Sequence, residues 1–176
     1  ANTVLIGSEM GEEFRRRRGL LRAAGVEGRA LNLSGKLGGD QTTVLHVIKE
    51  LMPVLSALDV SANRAFMDER AIQIVASQLT QNVTLTSLDL SHNYVHDAGA
   101  TLFAGALTVN RSLMTLRLSN AGICTVGACE LAQMLKTNVT LQELDLPKNA
   151  FGLEGGKAIV DALTVNSAVC RLDLRE

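Results

Sequence analysis

The residues with the most recognisable chemistry in this sequence are asparagines that match the acceptor pattern for N-linked glycosylation. The pattern Asn-x-Ser/Thr begins at Asn82, Asn110 and Asn138, so the sites are spaced 28 residues apart. Asn166 continues this spacing, but the residues after it do not complete the acceptor pattern. Because the asparagine persists where the acceptor pattern is lost, the spacing predicts a structural role rather than a glycan.

Two histidines, His92 and His96, lie four residues apart, a spacing that on a helix would place both imidazoles on one face as metal ligands. Here they flank a predicted strand end and a loop, and no Cys, Asp or Glu completes a ligand set. No Ser/His/Asp arrangement, paired carboxylates or phosphate-binding glycine loop stands out either. We therefore expect surface histidines, no metal site, no catalytic residues, no cofactor and no enzyme activity.

The composition is that of an ordinary globular domain. Hydrophobic residues make up 47% of the chain, charged residues 20%, and the formal net charge is −1. This balance argues against disorder and gives no reason to expect nucleic acid or a membrane as a partner. The three cysteines cannot all pair internally and lack metal-ligand spacing. We read them as reduced thiols of a cytoplasmic protein.

The elements that position these residues follow the same spacing. Segments 85–112, 113–140 and 141–168 align without gaps, a further unit begins at 169, and 55–84 and 28–54 align more loosely. In each unit, "LDL" or "LRL" alternates apolar with polar residues and predicts a short strand. Helical spacing follows, as at Phe103, Ala106 and Leu107. One strand and one helix cannot bury their apolar sides alone, so the units must stack.

Glycines begin each predicted helix, at Gly99, Gly127 and Gly155. We expect a small residue there because the helix must lie close to the neighbouring coil.

The pattern L-x-x-L-x-L-x-x-N, followed by a helix, resembles the leucine-rich repeat. The repeat length resembles the ribonuclease-inhibitor-like subclass, which includes NOD-like receptors, the GTPase activator of Ran and the tropomodulin C-terminal domain. The resemblance covers 28–176 and implies an α/β right-handed solenoid, with about six parallel strands on the concave face and helices on the convex face. We predict that 1–27 form an N-terminal capping helix region, with "RRRR" at 15–18 on a solvated helix. Residues 28–176 then contain about five full repeats plus a terminal strand.

The resemblance also implies a ladder of asparagines after the strands, whose side chains bond backbone groups of adjacent turns. Asn63, Asn93 and Asn149 fit this ladder, whereas Lys36 and Ala121 interrupt it. Asn82, Asn110, Asn138 and Asn166 follow the predicted helices instead. We expect them to close those helices in the left-handed conformation that asparagine tolerates.

The candidate binding surface is the set of outward residues on the concave face. One row, here named the charged column, consists of Asn32, Asp59, Asp89, Arg117, Asp145 and Asp173. The column is acidic with a single arginine, and Trp, Tyr and Phe are absent from it, so a weak or electrostatically steered partner fits better than a hydrophobic one. The predicted partner-binding residues are Asp59, Ser87, Asp89, Ser91, His92, Thr115, Arg117, Glu143, Asp145, Lys148, Arg171 and Asp173.

Function is predicted largely from the family. We expect non-enzymatic binding of an unidentified protein partner, as an interaction or scaffold module. One alternative is a GTPase activator resembling the Ran activator, with the strand-end candidates Lys36, Arg64, His92 and Lys148. A second alternative is an actin-filament regulator of the tropomodulin type.

The last predicted strand, in "RLDLRE" at 171–176, is followed by no helix that would cover it. A terminal repeat normally needs a polar outer face. We therefore expect chain continuation or self-association at this end, through an apolar surface formed by Leu163, Val169, Leu172 and Leu174.

Overall fold

The computed structural model describes residues 2–4, 29–35, 45, 49, 51–63 and 68–175. Within these residues, seven strands form one parallel sheet in chain order. The strands are β1 (Asn2–Val4), β2 (Arg29–Asn32), β3 (Ala57–Asp59), β4 (Ser87–Asp89), β5 (Thr115–Arg117), β6 (Glu143–Asp145) and β7 (Arg171–Asp173). The helices are α1 (Glu69–Leu79), α2 (His96–Val109), α3 (Thr125–Leu135) and α4 (Gly152–Leu163). A 3-10 turn, Met52–Val54, precedes β3.

Strands and helices alternate because each repeat contributes one of each. Every strand pairs with the next strand in the chain, and each of the helices α1 to α3 packs on the helix that follows it. The result is a right-handed α/β solenoid with its strands on the concave face and its helices on the convex face. None of the helices in the described part of the chain is long and apolar enough to cross a membrane.

The core is built from rows of leucines that repeat along the solenoid. The central strand residues Leu88, Leu116 and Leu144 are neighbours in the register and are fully buried. On α2, the predicted inward residues Phe103 and Leu107 are also fully buried. The predicted strand and helix periodicities are therefore confirmed, and they explain why the units stack into one continuous core.

The helix-start glycines are needed for close packing, as predicted. A Cβ atom at Gly127 would lie 2.7 Å from Asp97 Oδ1 and 2.9 Å from Ala100 Cβ of the preceding repeat. At Gly155 it would lie 2.9 Å from Ala128 Cβ. Contacts this short are not tolerated, so any larger residue would push adjacent helices apart.

The strand-end asparagine ladder is confirmed at its predicted members. The side chain of Asn63 donates to the carbonyls of Leu33 and Val60, both at 2.9 Å. Its own backbone N–H donates to Asn93 Oδ1 at 2.8 Å. Asn149 repeats the pattern by donating to carbonyls of its own and the preceding turn. Each side chain thus ties two neighbouring turns together.

The ladder break at Ala121 is bridged by backbone groups. The Ala121 carbonyl accepts from the N–H groups of Val95 at 3.1 Å and His96 at 3.0 Å. Asn149 Oδ1 in turn accepts from the N–H groups of Ala121 and Ile123. The other predicted break, at Lys36, lies outside the described residues.

The asparagines after the helices form a second ladder. Asn110 Nδ2 donates to the carbonyls of Leu79 at 2.7 Å and Asn82 at 2.9 Å, both in the preceding repeat. Asn110 Oδ1 accepts from the N–H groups of Ser112 and Leu113. The same bonds to a preceding carbonyl and to two following N–H groups recur at Asn82, Asn138 and Asn166.

The expected left-handed conformation of these helix-end asparagines is wrong. Asn110 has φ −65° and ψ 139°, which is extended backbone. Left-handed backbone is found instead after the strands. Among described non-glycine residues, φ is positive at Ala62, His92, His96, Asn120 and Lys148. The period favours asparagine after the helices because its short amide side chain both donates across the repeat and accepts from the following N–H groups.

The first strand lies within a region for which the sequence predicted only a capping helix. Asn2–Val4 pairs with β2, with Val4 opposite Leu31, and adds a seventh strand to the six that were expected. The predicted capping helix falls on residues outside the described ones. In the sequence, Val4 and Ile6 have the apolar alternation of Leu31 and Leu33, a signal that could have indicated the strand.

At the other end of the described sheet, the predicted apolar surface is half-buried. Leu163, Val169, Leu172 and Leu174 pack against the core without being fully covered by it. Self-association through these residues stays a prediction.

Candidate functional site

The charged column is continuous across the sheet, as the sequence predicted. Its members are register neighbours on successive strands: Asn32 with Asp59, Asp59 with Asp89, and Asp89 with Arg117. Arg117, Asp145 and Asp173 continue it. A second outward row lies beside the column and consists of Ala30, Ala57, Ser87, Thr115, Glu143 and Arg171.

Most carboxylates of the column are oriented by the turns that end their strands. One oxygen of each carboxylate accepts a hydrogen bond from the backbone N–H two residues later. The distance is 2.9 Å from Ser61 N to Asp59 Oδ1 and 2.9 Å from Ser91 N to Asp89 Oδ1. The amide oxygen of Asn32 makes the same bond to the next turn. Asp and Asn favour this turn because their short side chains reach that N–H group. The backbone therefore fixes where the column presents its charge.

Asp145 departs from this pattern because proline follows it two residues later. Pro147 has no N–H to donate, and the buried Oδ1 atom of Asp145 has no hydrogen-bond partner. The carboxylate is instead held by arginines, with Arg117 Nε at 3.2 Å and Arg171 Nε at 3.8 Å. These arginines cover Asp145, which is only 8% exposed. The expectation that its side chain points to solvent is therefore wrong.

Strands β5 to β7 carry a network of ion pairs on the concave face. Arg117 and Arg171 also contact Glu143, at 3.6 Å and 3.7 Å. Asp173 pairs with Arg175 at 2.6 Å. The hydrogen bond from the Arg175 side chain lowers the pKa of the Asp173 carboxyl to about 2, helped by the Arg175 backbone N–H. In this half of the face, arginines compensate the carboxylates.

Strands β2 to β4 present a different surface. Within the described part of the chain, neither Asp59 nor Asp89 forms an ion pair. Asp59 Oδ2 accepts only a neutral hydrogen bond from Asn32 at 2.7 Å. The neighbouring row is made of small residues here, and a shallow cavity of about 220 Å³ opens over these strands. Its lining includes the small residues Ala30, Ala57 and Ser87, both aspartates and, on the β5 side, Arg117.

Comparison with known proteins agrees with the geometry of the repeats. The family described as "Leucine Rich repeat" matches residues 81–104 and 137–160. Each match begins just after a helix has ended and spans a strand and most of the next helix. A solved structure titled "Leiomodin-1 Actin-Binding Site 2 (ABS2)" is similar with TM-score 0.69 and 19% identity, over 79% of this chain and 81% of that chain.

The tropomodulin C-terminal domain of Caenorhabditis elegans is similar with TM-score 0.66 and 12% identity, over 78% of this chain and 84% of that chain. The chain contains leucine-rich repeats. Its 28-residue units, each with a full helix, are of the ribonuclease-inhibitor-like subclass. A search among curated proteins found no match. At these identities, the likeness to the solved structures establishes the fold of the leucine-rich-repeat protein.

The strand-to-helix turns form one edge of the leucine-rich-repeat solenoid. His92 and Lys148 lie on this edge, both exposed and both with positive φ. Asn120 Nδ2 is 3.1 Å from His92 Nδ1. The described residues contain no cluster of His, Cys, Asp or Glu suited to a metal ion. Of the four candidates for GTPase activation, these two are described, and Lys36 and Arg64 are not.

Tyr94 lies on the same edge and was not among the predicted site residues. The side chain is 51% exposed, and its ring stacks on His96 with centroids 5.5 Å apart. An exposed aromatic residue beside a charged surface is typical of protein interfaces. The sequence feature that could have indicated this residue is that it is the only tyrosine of the leucine-rich-repeat protein.

The glycosylation patterns of the leucine-rich-repeat protein fall on buried side chains. Asn82, Asn110 and Asn138 are 8%, 2% and 1% exposed. Their Nδ2 atoms, to which a glycan would be attached, donate to carbonyls of the preceding repeat. A sugar at any of them would require loss of the helix-end ladder, which supports the structural interpretation of the spacing.

Proposed function

We propose that this leucine-rich-repeat protein is a non-enzymatic interaction module that binds a protein partner through its concave strand face and the adjoining strand-to-helix turns. The observation that carries the proposal is the charged column, which the sheet register and the strand-end turns hold in fixed positions. Fixed charges favour binding because little side-chain entropy is lost when the partner arrives.

The chemistry of the face suggests how the partner is selected. The column lacks large apolar side chains, so electrostatic complementarity governs specificity and the association rate more than buried apolar area does. We therefore expect binding that weakens as salt concentration rises. Tyr94 at the edge supplies the aromatic contact that the column lacks.

Paired photo-cross-linking tests this proposal. A photoreactive residue replaces Thr115, which faces outward on the concave side, or Gln133, which is exposed on α3 on the convex side. We expect specific cross-links to protein from Thr115 and only background from Gln133. Cross-links formed mainly from Gln133 would place the binding surface on the helices and contradict the proposal.

Actin is the first partner to test. The leiomodin-1 structure, one of the structural neighbours, is titled as an actin-binding site, and this likeness is the observation that favours actin. Co-sedimentation with filaments and the elongation rate of purified actin would measure the interaction. We expect Asp59→Lys combined with Asp89→Lys to remove it. Absence of any effect on actin would exclude this partner while leaving the concave-face proposal standing.

Two other aspects of the proposal have direct tests. Stimulation of GTP hydrolysis in a panel of small GTPases would overturn the non-enzymatic assignment in favour of the activator alternative.

We also propose a reducing compartment such as the cytoplasm, supported by the three free thiols at Cys124, Cys129 and Cys170. Hexose on Asn82, Asn110 or Asn138 in the intact mass of native protein would contradict that location.

A further inference from the structure

The charges of the concave face are not compensated evenly. Glu143, Asp145 and Asp173 each pair with an arginine of the same face. Asp59 and Asp89 form no ion pair with any described residue. Two neighbouring carboxylates that form no ion pair with the described residues make this part of the sheet face complementary to a positive charge.

We propose that strands β2 to β4 bind an extended segment of the partner that presents an arginine to Asp59 and Asp89. This inference rests on the proposed concave-face function and specifies the chemistry of its partner. Asp59 and Asp89 are register neighbours on adjacent strands, which places their backbones about 4.8 Å apart. A planar guanidinium has five donors and can bond two carboxylates at this spacing, whereas an ammonium is a point charge.

The orientation of both carboxylates favours this partner. One oxygen of each is already bonded to the backbone N–H of Ser61 or Ser91. The other oxygen of Asp89 accepts no hydrogen bond from the described residues, and that of Asp59 accepts only from Asn32. An arriving guanidinium therefore meets acceptors that are already positioned.

The shape of the face selects the path of the segment. Beside Asp59 and Asp89 the second row carries Ala57 and Ser87, which leave room for a backbone to approach the sheet. On β5 the side chain in this second row is larger, and the position in the charged column is occupied by Arg117. Arg117 would repel a second cation, so the segment should carry a neutral or acidic residue where it reaches β5.

Nuclear magnetic resonance titration tests the inference with defined probes. The full chain, labelled with nitrogen-15, is titrated with the peptide acetyl-Gly-Ser-Arg-Ser-Gly-amide and with versions that carry lysine or neutral citrulline instead of arginine. The amides of Ser61 and Ser91 report directly on the two carboxylates they bond. We expect saturable shifts at both amides with the arginine peptide, clearly weaker binding of the lysine peptide, and none of the citrulline peptide.

Matched variants separate this site from a general charge effect. Asp59→Asn with Asp89→Asn removes two charges and keeps the strand-end turns, because Asn32 makes the same turn. Glu143→Gln with Asp173→Asn removes the same number of charges from the other half. We expect the first pair to weaken arginine-peptide binding about tenfold and the second pair to change it less than about twofold.

Several outcomes would overturn the inference: no shifts at Ser61 and Ser91, equal binding of the arginine and citrulline peptides, equal binding of the lysine peptide, or equal losses in the two variants. If one of these occurs while Thr115 still cross-links a partner, only the arginine inference fails. If Thr115 also fails to cross-link, the concave-face proposal fails with it.

Discussion

In strands β5 to β7, every carboxylate of the charged column forms an ion pair with an arginine. In contrast, Asp59 and Asp89 on strands β3 and β4 form no ion pair with the described residues. Both halves share one register, and both present outward residues at the same backbone positions. The two halves differ most clearly at Asp145, which arginines cover almost completely.

This difference shows that the repeat fixes the backbone geometry of the sheet, whereas the types of the outward-facing side chains can vary. Inward positions are constrained because each leucine must fit the core formed by adjacent turns. Outward positions contribute little to stacking, so one half can be stabilised by its own ion pairs while the other remains available for a partner.

The largest expected effect tests the buried frame that both halves share. Leu116→Asp places an unpaired charge at a fully buried position, which costs on the order of several kcal/mol and should unfold the chain. Thr115→Asp, one residue away on the outward side, is the control and should melt near the wild-type temperature. Circular dichroism is the measurement. An unchanged melt for Leu116→Asp would contradict the common frame.

The next effect concerns the ladder that joins the repeats. Asn110→Ala removes bonds to two preceding carbonyls and two following N–H groups, all at a buried site. We expect the free energy of unfolding to fall by about 2–4 kcal/mol, because buried polar groups lose their partners. Asn120→Ala, whose side chain contacts only His92 in the described hydrogen bonds, should cost much less. Urea denaturation compares them, and equal losses would count against the helix-end ladder.

A third substitution compares the two halves directly. Asp145→Asn takes the negative charge from beneath Arg117 and Arg171 and should lower the free energy of unfolding by about 1–2 kcal/mol. Asp89→Asn keeps its turn and should change it by less than about 0.5 kcal/mol. Comparable losses in urea denaturation would mean that Asp89 is as strongly paired as Asp145, which would remove the contrast.

The smallest effect is a titration within the compensated half. The hydrogen bond from Arg175 lowers the pKa of Asp173 from 3.8 to about 2. A lowered pKa in the folded state stabilises the fold above pH 3.8, and this contribution is lost as pH falls toward 2. Arg175→Gln should raise the pKa of Asp173 toward 3.8, as followed by carboxyl carbon chemical shifts. An unchanged pKa would show that Arg175 is not its cause.

Sequence periodicity was sufficient to predict the solenoid, the leucine rows and the members of the charged column. The reason is physical: a leucine such as Leu116 must point inward wherever strand alternation and stacking both hold, so its place follows from the period alone. The strand-end ladder at Asn63, Asn93 and Asn149 was predicted from the resemblance to leucine-rich repeats.

Which outward residues pair with which could not be predicted in the same way. Asp145 is buried because arginines pair with it and because Pro147 has no N–H to bond its carboxylate. Both facts depend on the conformation of the turns, which the sequence pattern does not give. The helix-end asparagines were placed correctly but for the wrong reason, since their bonds reach back across a whole repeat. The strand Asn2–Val4 was missed because too few of its residues repeat the pattern.

The most direct test of the account is the affinity of the cross-linked partner, once purified, for two charge-matched variants. Asp59→Asn with Asp89→Asn should weaken binding about tenfold, and Glu143→Gln with Asp173→Asn should weaken it less than about twofold. Both variants should melt as folded proteins, so that the comparison reports on binding. Equal losses, or a larger loss in the Glu143 and Asp173 variant, would contradict the claim that strands β2 to β4 present the charge that the partner recognises.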